Sequence, residues 1–92
     1  MLEISFTTQF KKDYKLCKKR GYDLYLLKEI IDTLAIPEFL PERNRDHNLV
    51  GNYAHKRECH VQPDWLLIYQ KDFDNNELLL IRTGTHSDLF GK

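Results

Sequence analysis

The sequence predicts an α+β domain in which an N-terminal strand and a helical hairpin pack on a small antiparallel sheet. Three observations predict it. The opening residues alternate apolar and polar, two stretches with helical spacing follow, and the C-terminal half holds two apolar runs of strand length, Leu66-Leu67-Ile68 and Leu78-Leu79-Leu80-Ile81. Ninety-two residues suit a single domain, 1–92, because chains divide into separate cores only at about 250 residues or more.

Leu2-Glu3-Ile4-Ser5-Phe6 has the two-residue period of a half-buried strand. Thr7 or Thr8 caps the helix that follows. In it Phe10, Tyr14 and Cys17 recur at four and three and share a stripe, with Lys11, Lys12, Lys15, Lys18 and Lys19 opposite. Gly21 ends this helix. Asp23 opens a second, whose Leu24, Leu27, Ile31 and Leu34 keep the helical period until Pro37 stops it. Residues 37–51 are too rich in proline and charge for a long regular element and read as a loop. Three strands follow at 53–61, 65–70 and 77–83, with Asp72-Phe73-Asp74-Asn75-Asn76 as the turn between the last two, forming an antiparallel meander. Their unbroken apolar runs need cover on both faces, and the helical hairpin supplies one.

With 41% hydrophobic and 30% charged residues the chain does not read as disordered. No apolar run approaches the ~18 residues of a membrane span, and the first six residues lack the basic start and apolar centre of a signal peptide. The expected location is therefore the cytoplasm, with no membrane partner. Cys17 and Cys59 stand far apart without a C-x-x-C partner, so they read as reduced core thiols. The 14 Lys and Arg balance the 14 Asp and Glu, and a neutral total argues against nucleic-acid binding. The distribution argues the other way. Residues 1–31 hold seven basic and four acidic side chains, residues 62–92 three and five, and a local basic face attracts RNA even when the total cancels.

Four histidines exceed what core packing needs, and imidazole titrates where proton transfer at neutral pH requires it. His47 falls in the charged loop, His60 beside a Pro-Asp-Trp turn, and His86 just past the last strand, all at loops or element ends. Alternation puts Lys56, Glu58 and His60 on one strand face and Tyr53, His55, Arg57, Cys59 and Val61 on the other. Arg82 is expected on the face of Leu78 and Leu80, where a guanidinium needs a carboxylate or phosphate nearby, and it reads as a phosphate ligand. RNA cleavage without metal asks for a base on the 2′-hydroxyl, an acid for the departing 5′-oxygen and a cation at the phosphate, and two His and an Arg supply these. The scattered positions 47, 60, 64 and 86 do not read as a metal site, so neither metal nor cofactor is expected.

Three ordered blocks carry a family resemblance: Asp46-His47-Asn48-Leu49-Val50-Gly51; Arg57-Glu58-Cys59-His60-Val61-Gln62-Pro63-Asp64-Trp65-Leu66-Leu67-Ile68-Tyr69; and Arg82-Thr83-Gly84-Thr85-His86-Ser87-Asp88-Leu89-Phe90-Gly91. Together they resemble the signature of YafQ-type toxins, a branch of the RelE/ParE superfamily, and the basic helical hairpin extends the resemblance over essentially the whole chain. The resemblance implies a RelE-like fold and a type II toxin that cleaves messenger RNA in the ribosomal A site. A cognate antitoxin would be its partner, with operator DNA reached only through the antitoxin complex. Carried over residue by residue, it implicates His47, His60, Asp64, Arg82, His86 and Phe90, with Trp65 as a structural neighbour. His47 and His86 are then the proton-transfer pair, His60 is oriented or assisted by Asp64, and Phe90 stacks on a base. Where relatives often carry Asp two residues before the motif histidine, this chain has Glu58, which keeps the charge, lengthens the reach and is assigned to substrate contact. Lys11, Lys15 and Lys18 are expected to meet ribosomal RNA. His55 has no motif support. Two rival functions are a ParE-like toxin that binds a topoisomerase without catalytic histidines, and a binding module that represses its own operon.

Overall fold

Thr7 begins the first helix. Its hydroxyl accepts from the Phe10 amide at 2.9 Å, which ends strand β1 (Glu3–Phe6) and starts helix α1 (Thr8–Lys19). A computed structural model describes residues 1–36 and 39–91 of the chain. At the far end of α1, Gly21 adopts φ +80°, and the Gly21 and Tyr22 amides donate to the Lys18 and Cys17 carbonyls, a reversed closure that Cβ-bearing residues resist. Asp23 then caps α2 (Leu24–Ala35) by accepting from the Tyr25 amide. The expected stop at Pro37 lies outside the described residues.

The buried stripe of α1 is Phe10, Asp13 and Cys17 rather than Phe10, Tyr14 and Cys17. Tyr14 stays exposed because the helix is rotated to bring the Asp13 carboxylate to the sheet. The five lysines of α1 are exposed, as the sequence predicts.

The sheet has five strands in the order β1-β5-β4-β3-β2, where β2 is His47–Asn48, β3 Arg57–Gln62, β4 Trp65–Asp72 and β5 Glu77–Gly84. The meander β3-β4-β5 is antiparallel as predicted, but β1 joins β5 in parallel, so the sheet is mixed. The stretch read as a loop contains a 3₁₀ turn (Glu42–Asn44) and the two-residue strand β2, paired with β3. The strand expected at 53–61 begins only at Arg57. Tyr53 belongs to a second 3₁₀ turn, and His55 at φ +70° turns the chain out of extended geometry.

Alternation along β4 divides the interior. Trp65, Leu67 and Tyr69 pack under the helical hairpin with Phe10, Cys17, Leu27, Leu34, Cys59, Leu78 and Leu80. Leu66 and Ile68 face the other way, onto Leu89 of the short helix α3 (His86–Phe90) and onto Leu49, Tyr53 and Ile81. Both faces are therefore covered, as the apolar runs demand. Trp65 fills the main core, donating from Nε1 to Thr83 Oγ1 at 2.9 Å, which is the structural part expected of it. Both cysteines are free and buried, and burial pushes the Cys59 thiol well above its ordinary range.

One irregularity decides where Arg82 points. Ile68 pairs with Arg82 and Tyr69 with Leu80, which leaves Ile81 as an extra residue in β5. Leu80 faces the main core with Tyr69, whereas Arg82 lies over the face of Ile68. The expectation that Arg82 shares a face with Leu78 and Leu80 is thus overturned by the bulge, which inverts the alternation beyond it.

Candidate active site

Sheet register lines up the first residues of the site. His47 pairs with Glu58, Glu58 with Ile68 and Ile68 with Arg82, a single cross-strand row on the face covered by α3. The adjacent row holds His60, opposite Leu66 and Gly84. Gly84 leads through Thr85 into α3, whose first residue is His86.

Each of the three imidazoles is held by its Nδ1. His47 Nδ1 meets the Arg45 carbonyl at 2.6 Å, His60 Nδ1 the Pro63 carbonyl at 3.1 Å, and His86 Nδ1 the Asp64 carboxylate at 2.6 Å. Carbonyls and ionised carboxylates only accept, so Nδ1 carries the proton in all three rings, and each neutral imidazole keeps its lone pair on Nε2. The His47 and His60 Nε2 atoms lie 3.5 and 3.7 Å from Glu58 Oε1. Ring centroids are 6.4 Å apart for His47 and His60, and 5.6 Å for His60 and His86. The other Glu58 oxygen is buried without a hydrogen-bond partner.

Asp64 corrects one expectation. It orients His86 rather than His60, accepting from both the His86 amide (2.9 Å) and Nδ1, and these bonds hold its carboxyl below the usual range. The reason is local geometry: Pro63 and Asp64 form the tip of the β3-β4 hairpin, so the Pro63 carbonyl turns back to His60 while the Asp64 side chain reaches forward to α3. Asp64 itself is exposed and contributes order, not burial.

Helix α3 is fastened from three directions. Thr85 and Asp88 form a reciprocal capping box, Arg20 at the end of α1 grips Asp88 through two bonds of 2.6 and 3.0 Å, and Leu89 is buried. Arg20 holds the Asp88 carboxyl far below its ordinary value. Gly84 is required here, because a Cβ would come within 2.8 Å of Asp88 Oδ2 and φ is +153°. Phe90, the last residue of α3, is 38% exposed and meets Tyr53 edge-on at 6.0 Å.

Arg82 donates from Nε and Nη2 to the two oxygens of Asp13, both at 3.0 Å, and Asp13 also accepts from the Thr83 amide and from Gln9. The carboxylate that a guanidinium at position 82 requires is therefore Asp13. This pairing also raises the guanidinium's affinity for its proton.

The structure thus gathers His47, Glu58, His60, Asp64 and His86, and sets Arg82 on the same row. Lys11, Lys15 and Lys18 lie on the exposed side of α1 instead, where Lys11 and Lys15 border an apolar groove with Ile4, Phe6 and Tyr14. Asp13, Arg20, Asp46 and Tyr69 escaped sequence reasoning. The one available signal was Asp13, a charged residue at helical spacing between Phe10 and Cys17. Glu58, His60 and His86 each offer a ligand atom within 4.8 Å of the others, so positions that do not read as a metal site in the sequence are brought by the fold into a group that could hold a metal ion.

The result is a small α+β domain in which one sheet face gathers three imidazoles around the buried Glu58 carboxylate on an open surface. The chain belongs to the YafQ family of bacterial toxins of type II toxin–antitoxin systems, whose model matches residues 2–91. It is 40% identical over 92 residues to the mRNA interferase toxin YafQ of Escherichia coli K12, covering 97% of this chain and 96% of that protein. Among solved structures it resembles a metal-bound toxin from Helicobacter pylori (TM-score 0.92, 43% identity, 98% of this chain and 100% of the other). It also resembles the toxin in the E. coli DinJ–YafQ complex (TM-score 0.85, 39% identity, 99% and 100%).

Proposed function

We propose that this toxin is an endoribonuclease that cleaves messenger RNA in the ribosomal A site by metal-independent acid–base chemistry, and that a cognate antitoxin neutralises it. The observation that carries the reading is the clustering of three imidazoles, each bonded through Nδ1, with the Nε2 atoms of His47 and His60 facing Glu58.

In this mechanism one Nε2, of His47 or His86, takes the proton of the 2′-hydroxyl. The 2′-oxygen bonds to phosphorus as the bond from phosphorus to the 5′-oxygen breaks, and the other histidine, protonated, delivers its proton to that oxygen. Such proton transfers contribute roughly 10² to 10⁴ in rate. Glu58 sits against the His47 and His60 Nε2 atoms, closer to the proposed proton transfers than substrate contact alone would place it. Arg82 faces the phosphate with the part of its guanidinium not engaged by Asp13, and Phe90 offers a ring face to an unstacked base. Lys11, Lys15 and Lys18 supply contacts to ribosomal RNA, and operator DNA is reached only through the antitoxin complex.

Primer extension on messenger RNA from cells expressing the chain tests this. Cleavage within codons is expected from the native protein and not from His86→Ala, while purified protein with ribosomes should cut equally well after a chelator is added. Arrest of growth with intact messenger RNA would instead favour a ParE-like toxin.

A further inference from the structure

The chain has five arginines, and three are committed to aspartates: Arg20 to Asp88, Arg57 to Asp46 and Arg82 to Asp13. Arg43 and Arg45 are different. Both are exposed, and among the described residues neither guanidinium takes part in an ion pair. They are not placed at random. Between them Asn44 is buried and donates from Nδ2 to the His60 carbonyl at 2.7 Å, so the 3₁₀ turn is pinned to β3 at the backbone of a site residue and its two arginines are held on either side.

These side chains line a groove of about 520 Å³ with His60, Gln62 and Pro63. The groove is large enough for a nucleotide-sized group, and His60 lines it together with Leu26 and Val61, which pack against the main core. Its cations matter because the imidazole cluster itself is rich in carboxylates, with Glu58 and Asp64 both facing it. A phosphodiester approaching these anions needs compensating charge from groups not already neutralised by aspartate. Guanidinium suits that role, since it stays charged and its planar fork can take two phosphate oxygens at once.

We propose that Arg43 and Arg45 form a subsite for the messenger-RNA backbone, holding a phosphodiester next to the one that is cut. The proposal rests on the nuclease reading of the histidine cluster. It assigns the two ends of the complex to different cations: the 3₁₀ turn grips the messenger, and the lysine face of α1 grips the ribosome.

Salt-dependent binding tests it without relying on cleavage. Fluorescently labelled toxin is titrated with 70S ribosomes, either vacant or programmed with a messenger 2′-O-methylated at the A-site codon so that it cannot be cut. Each lost contact to single-stranded RNA lowers the slope of log affinity against log salt by about 0.7, so the pair Arg43→Ala and Arg45→Ala should lower it by about 1.4 on programmed ribosomes. On vacant ribosomes the slope should not move, and the pair Arg43→Lys and Arg45→Lys should restore most of the slope on programmed ones. An unchanged slope on programmed ribosomes overturns the subsite, as does an equal loss on vacant ribosomes, which would assign the arginines to ribosomal RNA. A parallel assay of the native protein on cleavable messenger separates the two claims: no cutting sinks the nuclease reading, while the slopes still report on the arginines.

Discussion

The phenol of Tyr69 donates to Asp46 at 2.5 Å, behind the short strand that carries His47. Arg57 reinforces the attachment, reaching Asp46 from Nε (3.1 Å) and Asn48 from Nη1 (2.6 Å), so the residues on both sides of His47 are tied to the sheet. Strand alternation then sends the imidazole to the opposite face, toward Glu58. Burial, with Asp46 as acceptor, pushes the Tyr69 hydroxyl far above its ordinary value, so it acts as a fixed donor at any workable pH.

Replacing Tyr69 by Phe keeps the ring in the core and removes only that donor. The expected cost in urea unfolding is about 1 kcal/mol. A larger effect is expected on turnover, a loss of about tenfold in kcat with KM unchanged, because small misplacements of a catalytic group are expensive. In a His47→Ala background the same change should cost nothing further in kcat; an equal loss there would mean that Tyr69 acts on something other than His47.

His86 and Asp64 make the second test. His86→Ala should lower messenger-RNA cleavage by roughly 10² to 10⁴. Asp64→Asn keeps an acceptor for the His86 amide but loses the charge on Nδ1–H, and about a tenfold loss is expected. Equal activity of Asp64→Asn and the native protein across pH 5 to 8 would remove Asp64 from the site.

Asp13 and Arg82 form a pair that is largely out of water, with side-chain exposures of 8% and 23%. Asp13→Asn leaves the guanidinium without its counter-charge, and a loss of about 3 kcal/mol is expected in denaturant unfolding. The double change Asp13→Leu with Arg82→Met should cost less than the sum of the single changes, because no charge is then stranded. Additive losses would show that the two side chains stabilise the fold independently.

Acid should loosen α3 first. The Asp88 carboxyl is held below its unfolded value by Arg20, so the stability it contributes is full above the unfolded value near pH 4 and is lost as pH falls toward the folded one. Melting temperature should therefore drop between about pH 4 and pH 2 in the native protein. The drop should be shallower in Asp88→Asn, which starts lower at neutral pH. Parallel curves for the two proteins would assign the acid sensitivity elsewhere.

Much of this molecule is written in local patterns. Thr7, Gly21 and Asp23 mark the helix ends because each satisfies or redirects nearby backbone groups, and the apolar runs of β4 and β5 announce burial on both faces. The ordered blocks around His47, His60 and His86 likewise identified the residues that meet. What local patterns do not carry is register. The extra residue at Ile81 turns Arg82 to the other face, the parallel pairing of β1 depends on contacts more than seventy positions apart, and β2 exists only because β3 offers it an edge. Asp13 reaches Arg82, and Arg20 reaches Asp88, across separations of 69 and 68 residues.

By itself, then, the sequence determined the family, the helical hairpin, the meander and the histidines that carry the proposed chemistry, since each depends on residue type at short spacing. Only the tertiary structure decided that Asp64 serves His86, that Nε2 is the free nitrogen of all three rings, and that Arg43 and Arg45 are the uncommitted arginines among the described residues. Those outcomes depend on which distant groups come within hydrogen-bonding distance, and that is set by sheet register and packing rather than by any stretch of chain alone.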